Sequence, residues 1–335
     1  MTPPVRVGVI GLGAIGQSLL KAFMADPEVH VTAVCDVNAS LAETTASPLA
    51  ASAWTDHRQM LDAADLDLVY VAVPPRYHHT IALDVVAAGR HILCEKPLAL
   101  TLDEARDMRR AAQAAGVIHA LNLPMHADPG IETFRRLVQD GGLGTLRRAE
   151  LTLVFPQWPR GWQRNPWIGG REQGGPIREV GPHLLHVVLT TLGPVKRVWV
   201  HAEYPADDTA ACETAALGTL ELTNGSLVVV SCLTNVPRPE QVSLTVYGSR
   251  GTAGLVNWAS PVAASGQAPL EAVPVEGPRV PAGEQLVRAL ISRVCGGPGD
   301  LADFTTGVRI QAVLEAWEHS SVTGRWVDVP QVEPT

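Results

Sequence analysis

Val5-Arg-Val-Gly-Val-Ile-Gly-Leu-Gly-Ala-Ile-Gly16 is a short, mostly β-branched apolar run that ends in three glycines spaced Gly-x-Gly-x-x-Gly, where a helical stretch, Ala14–Ala25, begins. Each glycine has a physical task in a strand-turn-helix unit. Gly11 allows the tight turn, Gly13 lets the backbone approach a pyrophosphate, and Gly16 lets the helix pack closely on the strand. The helix start, with Ala14 and Ile15, offers unpaired amides and the positive dipole end to phosphate. An ordinary tight turn without a ligand is the alternative, and one acidic residue weighs against it. Asp36 lies twenty residues beyond Gly16 at the end of the next strand-like run, where a carboxylate can accept both hydroxyls of a ribose. A 2′-phosphate there would meet a like charge, and Val37-Asn38 offers no compensating arginine, so NAD is expected in preference to NADP.

Beyond this unit, β-branched runs alternate with Ala-rich helical stretches, as in parallel strands joined by helical crossovers. The expected strands are Val5–Ile10, His30–Asp36, Leu68–Val73, His91–Glu95 and Val117–Leu121. Thr101-Leu-Asp-Glu104 reads as a capping box, and Gly116 ends the helix it opens. After Leu121 the runs lengthen and alternate: Ala149–Phe155, Val195–His201, Thr214–Leu222, Leu227–Thr234 and Val242–Tyr247. Asn224-Gly225 between two of them predicts an antiparallel hairpin with a type I′ turn. Pro261–Gly283, with five prolines and three glycines, reads as an irregular surface excursion, and Ala302–Ser320 as a helix. The fold class expected is α/β, a doubly wound parallel Rossmann sheet over residues 1–121, followed by an α+β domain over 122–335 with a large, mostly antiparallel open sheet.

The chain has 335 residues, 46% hydrophobic and 18% charged, enough for two packed cores and unlike a disordered or fibrous protein. Its net charge of −8 opposes binding to nucleic acid or an anionic membrane surface. Cys35, Cys94, Cys212, Cys232 and Cys295 are odd in number and lack metal-like spacing, so reduced thiols and no metal site are expected. Met1–Ile10 lacks the basic start and apolar stretch of a signal peptide, and no apolar run is long enough for a bilayer. A cytoplasmic location is the expectation.

Glu95-Lys96-Pro97 stands at a strand end that faces the ligand crevice of a parallel sheet, where a lysine can reach nicotinamide and substrate or simply remain solvated. Together with GLGAIG, Val73-Pro-Pro-Arg-Tyr-His78, AGRHILCEKPLALTLDEA and Gly174-Gly-Pro-Ile-Arg-Glu-Val-Gly-Pro-His183, the chain resembles the glucose-fructose oxidoreductase and inositol dehydrogenase (Gfo/Idh/MocA) family over nearly its whole length. The resemblance implies that Val73, Pro74, His78, Glu95 and Lys96 join the cofactor contacts. It implies too that Lys96 touches the reacting hydroxyl, and that the Lys96-Pro97 peptide is cis.

The family's second signature resembles Asp-x-Gly-x-His-x-x-Asp, and here reads Glu179-x-Gly181-x-His183-x-x-His186. On a helix from Glu179 to Thr190 these three side chains share one face, whether as a site or as core packing. The resemblance makes His183 the general acid/base, a role an imidazole fills near neutral pH. His186 replaces a carboxylate. At Leu121-Asn-Leu-Pro-Met-His126, Asn122 matches the pattern as a substrate contact. Met125 and His126 stand where relatives often carry an arginine and an aromatic, which argues against a carboxylate or phosphate anchored there. Trp158, Trp162 and Trp167, near Arg160, Arg164 and Arg171, fall where relatives build the substrate wall; Trp162 is the substrate contact expected, while buried packing is the other use of such residues.

The resemblance thus implies an NAD-dependent oxidoreductase that interconverts a secondary alcohol and a ketone on a sugar, cyclitol or related polyol. Lys96 and His183 would assist, with Asn122, Trp162, Glu179 and His186 around the substrate. A reductase of a nucleotide-linked ketosugar, imine or dihydrodiol is a second possibility, and a non-catalytic dinucleotide-sensing protein a third. A sheet with one face uncovered implies a homodimer or homotetramer.

Overall fold

The computed structural model describes residues 3–163, 165–276 and 280–332. The chain divides into two compact units, Met1–Pro124 with Arg279–Gln311, and Met125–Pro278 with Ala312–Thr335. In the first, β1 (Val5–Ile10), β2 (Val29–Cys35), β3 (Ser52–Trp54), β4 (Leu68–Val71), β5 (His91–Cys94) and β6 (His119–Leu121) form a sheet in the order β3-β2-β1-β4-β5-β6. Every pairing in it is parallel. The connections carry α1 (Ala14–Ala25), α2 (Ala39–Ala46), α3 (His57–Ala63), α4 (His78–Ala87) and α5 (Leu102–Ala115). The order reverses beside β1, and such a switch point is where open α/β sheets bind ligands. Thr101 and Glu104 form the reciprocal capping box at the start of α5, and Gly116 ends it at φ +65°.

The second unit contains α6 (Pro129–Gln139), β7 (Leu146–Phe155), α7 (Pro176–Thr191), β8 (Val195–Glu203), β9 (Ala215–Leu222), β10 (Leu227–Thr234), β11 (Gln241–Gly248), β12 (Gly251–Val256), β13 (Ser260–Ser265) and β14 (Glu271–Ala272). With α8 (Ala282–Val294), α9 (Phe304–Thr323) and β15 (Val327–Asp328), these complete the described elements. The sheet order is β14-β13-β12-β11-β7-β10-β9-β8-β15, antiparallel except for the parallel pair β7–β10. Helices cover one face. Trp317 of α9 lies so close to β9 that a Cβ on Gly218 would fall 2.5 Å from its ring, which is why glycine occupies that strand position.

The five expected strands of the first sheet are present with ends within two residues. Differences lie where glycine or proline masks the pattern. Pro261–Gly283 is not simply an irregular excursion, because β13 and β14 lie within it and Pro261 pairs with Leu255 of β12. The part of that stretch at 277–279 lies outside the described residues. The β9–β10 hairpin is antiparallel as expected. Its turn is not type I′, since Gly225 has φ +84° while Asn224 has no positive φ. The Gly225 amide donates to the Leu222 carbonyl, as in a three-residue loop with a left-handed glycine.

The division also differs from one cut after Leu121. Leu286, Val287, Leu290 and Ile291 of α8 pack in the same core as Leu19, Leu20 and Phe23 of α1, so the chain returns to complete the first unit. Among the described residues no helix is long and apolar enough to cross a membrane.

Candidate active site

The turn after β1 has the steric character that its glycines require. A Cβ on Gly11 would lie 2.4 Å from the Ala72 carbonyl oxygen, and one on Gly16 2.1 Å from that of Gly11. At Gly13 a Cβ would meet nothing within 4 Å, because this residue faces open space. Gly13, Ala14 and Ile15 are all exposed, and α1 starts without a side-chain cap. Its first amides are thus left for an outside acceptor, and a pyrophosphate supplies one. Asp36 follows β2. One of its carboxylate oxygens accepts from the Leu12 amide at 2.8 Å and the other from Asn38 at 2.9 Å, which fixes the group beside the turn with lone pairs remaining for ribose hydroxyls.

At the end of β5, Glu95 is buried and Lys96 half-buried, and the Lys96-Pro97 peptide is cis. Glu95 Oε1 accepts from the Tyr70 hydroxyl at 2.6 Å and from Asn122 Nδ2; Oε2 accepts from the Lys96 amide at 3.3 Å. Burial pushes this carboxyl above the usual carboxylate range, against the opposing pull of the Lys96 ammonium, Tyr70 and Asn122. The carboxylate therefore supports the strand end from beneath, and Asn122 is bound to it. His78, fully buried, has Nδ1 2.9 Å from the Pro97 carbonyl and Nε2 2.8 Å from that of Val73. It ties the half-buried Val73-Pro74 segment to the peptide after Lys96, and burial is the main force holding its imidazole below the ordinary value.

In the second unit Glu179, His183 and His186 all lie on α7, as the spacing requires. Glu179 and His186 are buried, and His183 is half-buried. Glu179 Oε2 accepts from Gln163 Nε2 at 3.5 Å. His186 Nε2 faces His126 Nδ1 at 3.0 Å, so His186 is half of a histidine pair. The His183 ring meets the Trp258 indole edge-on, 6.1 Å between centroids. Trp162 is 52% exposed and lies 5.0 Å from the Arg160 guanidinium. Trp158 is buried, Trp167 half-buried, and Arg164 lies outside the described residues. Tyr70, Gln163 and Trp258 are participants that sequence reasoning did not single out. Only Trp258 sits beside a detectable signal, an Asn-Trp pair between alternating runs, and both residues have positive φ at 47° and 76°. Among the described residues no group of three or more His, Cys, Asp or Glu is arranged to hold a metal ion.

A six-stranded parallel sheet with an uncapped glycine turn and a fixed aspartate has the form of a dinucleotide-binding domain. Residues 5–123 match the oxidoreductase family with an NAD-binding Rossmann fold, and residues 131–254 match the GFO/IDH/MocA C-terminal domain. The chain belongs to the Gfo/Idh/MocA family and is an NAD-binding oxidoreductase. It is 28% identical over 349 residues to D-glucoside 3-dehydrogenase of Escherichia coli K12, covering 97% of this chain and 98% of that one. It is 32% identical over 197 residues, 58% of each chain, to dTDP-3,4-didehydro-2,6-dideoxy-α-D-glucose 3-reductase of Streptomyces antibioticus. The WlbA dehydrogenase of Bordetella pertussis, solved with NADH and UDP-GlcNAcA, shares the fold at a TM-score of 0.84 and 20% identity, over 98% of this chain and 99% of that one.

Proposed function

We propose that the protein oxidises a secondary alcohol, or reduces the corresponding ketone, on a sugar, cyclitol or related polyol. The observation that carries this is the state of α7: Glu179 and His186 are buried, while His183 between them keeps a half-exposed imidazole beside the Trp258 indole. Bound NAD supplies the hydride acceptor. His183 takes the hydroxyl proton. Lys96 donates a charge-assisted hydrogen bond to the alkoxide as charge builds on it. Glu95, Tyr70 and Asn122 hold the strand end that carries Lys96, and His78 holds the peptide after it. These two are positioning roles for Asn122 and His78, with Gly11, Gly13, Ala14, Ile15, Gly16, Asp36, Val73 and Pro74 on the cofactor side. The Asp36 carboxylate favours NAD over NADP by repelling a 2′-phosphate.

NADH formation with NAD and a panel of inositols, aldoses and sugar acids tests the reading, run beside Lys96→Ala and His183→Ala. Turnover that both variants lose while retaining NADH binding supports it; turnover that survives in either refutes that residue's role. Similarity to a dTDP-ketosugar reductase supports a second reading, a carrier-linked sugar as substrate, for which a nucleotide-linked panel is the test.

The protein is further proposed to be a cytoplasmic homodimer or homotetramer. On the uncovered face of the nine-stranded sheet, Leu217, Leu227 and Leu233 of β9 and β10 are 55%, 40% and 39% exposed. A second copy would bury them, as such apolar sheet faces require. Sedimentation showing only monomer at micromolar concentration would exclude this assembly.

A further inference from the structure

The Arg160 guanidinium lies among four aromatic rings, with centroids at 5.5 Å (Phe155), 5.7 Å (Trp158), 5.0 Å (Trp162) and 5.6 Å (Trp258). Its Nε donates to Gln163 Oε1 at 3.1 Å, and the same oxygen accepts the Arg160 backbone amide. Among the described residues that is the guanidinium's one hydrogen bond, so both terminal nitrogens keep their donors. The rings cage the guanidinium, and its two terminal nitrogens carry no hydrogen bond among the described residues. Two carboxylates face the group, Glu179 and Glu240, and Glu240 is engaged by the Trp258 indole N–H at 3.1 Å. Both attract the guanidinium's charge, and neither accepts a hydrogen bond from the fork among the described residues.

The cage touches the catalytic side of α7 twice. Gln163, which clamps Nε, also donates to Glu179, and Trp258, one wall of the cage, stands edge-on to His183. Trp258 is held at φ +76°, a conformation that bulky side chains rarely adopt and that costs energy wherever it is kept. From this position the indole lies 6.1 Å from the His183 ring and 5.6 Å from the Arg160 guanidinium.

We propose that Arg160 is a specificity-determining residue that binds a carboxylate on the sugar ring, making the preferred substrate a sugar acid whose apolar face lies on Trp162 and Trp258. A guanidinium matches a planar carboxylate through two parallel hydrogen bonds, and partial burial among rings makes those bonds strong. A fork already held in place loses little freedom on binding. The proposal rests on the oxidoreductase reading for its choice of His183 as the substrate side.

Calorimetric binding of D-glucuronate, D-glucose and D-glucose 6-phosphate to NADH-loaded protein tests it without requiring turnover. Glucuronate is expected to bind about 10- to 100-fold more tightly than glucose, the range that hydrogen bonds to a charged group supply. Arg160→Met, which keeps an unbranched apolar stem and removes the fork, is expected to abolish the preference. Arg160→Lys, which keeps charge without the fork, is expected to retain part of it and serves if the methionine variant does not fold. Equal binding of glucuronate and glucose, or a preference that survives Arg160→Met, would overturn the proposal; tighter binding of the 6-phosphate than of glucuronate would overturn the carboxylate assignment. Selective glucuronate binding without oxidation would count against the roles given to Lys96 and His183 and leave the fork standing.

Discussion

Two glycines of one turn should fail in opposite ways when each receives a single methyl group. In Gly16→Ala the new carbon would lie 2.1 Å from the Gly11 carbonyl oxygen, and both sides of the clash are backbone, so α1 must move off the turn. Such overpacking costs about 1–3 kcal/mol, and a backbone clash this close belongs at the top of that range. In Gly13→Ala the carbon enters open space, and the residue's φ of −65° and ψ of −174° suit any L-amino acid. Stability should then change by less than about 1 kcal/mol. The methyl occupies the side from which the pyrophosphate must approach, so NADH affinity should fall about 10- to 100-fold, or about 1.4–2.7 kcal/mol. Thermal unfolding followed by circular dichroism and a fluorescence titration with NADH measure the two effects separately. A folded Gly13→Ala variant that binds NADH as tightly as the parent would refute the placement of the phosphates at this turn.

Tyr70→Phe removes a fully buried donor from Glu95, and should cost about 1.5–3 kcal/mol when the carboxyl is ionised. Because burial raises the Glu95 carboxyl, the folded protein holds its proton more tightly than the unfolded chain, and this stability is lost as pH rises from the ordinary carboxylate range through the folded value. The variant should steepen that loss, so urea unfolding at pH 5 and pH 8 should show the larger deficit at pH 8. A double-mutant cycle between His126→Phe and His186→Phe should return a coupling of about 0.5–1.5 kcal/mol in unfolding free energy; additive losses would mean the 3.0 Å contact contributes nothing. Ellman's reagent should label Cys295 in the native protein, because Cys35, Cys94, Cys212 and Cys232 are buried; rapid labelling of a second thiol would contradict that packing.

Five of the six strands of the first sheet, all but β3 (Ser52-Ala-Trp54, which has no β-branched residue), were legible from their apolar, β-branched runs, and Asp36 could be found by counting from Gly16. The helix carrying Glu179, His183 and His186 was legible for the same local reason. What escaped the sequence depends on distant partners. β12 contains Gly251 and Gly254 and β13 begins at Ser260-Pro261, so neither carries a strand signature; β12 forms on the edge that β11 supplies, and β13 on the edge that β12 then supplies. The Asn122 amide donates to Glu95, and both ring nitrogens of His78 lie within 2.9 Å of backbone carbonyls, partners that the motifs around these residues do not name. Trp258 and Arg160 are about a hundred residues apart, and no local pattern joins them. Glu95-Lys96-Pro97 was the reverse case, where a three-residue motif carried the family with it.

The return of α8 to the first core has a consequence for how the protein is made. A nascent chain that has reached Pro124 holds all six strands of the dinucleotide sheet but lacks Leu286, Val287, Leu290 and Ile291, each at most 6% exposed in the finished structure. Burying four such side chains is worth about 6–12 kcal/mol, comparable with the net stability of a whole domain. At the ~5–20 residues per second of synthesis, the apolar flank of α1 stays uncovered for roughly 8–30 s while the second unit is translated. The half that binds NAD is thus begun first and finished late, and during that interval it is the part of the newborn chain most in need of a chaperone.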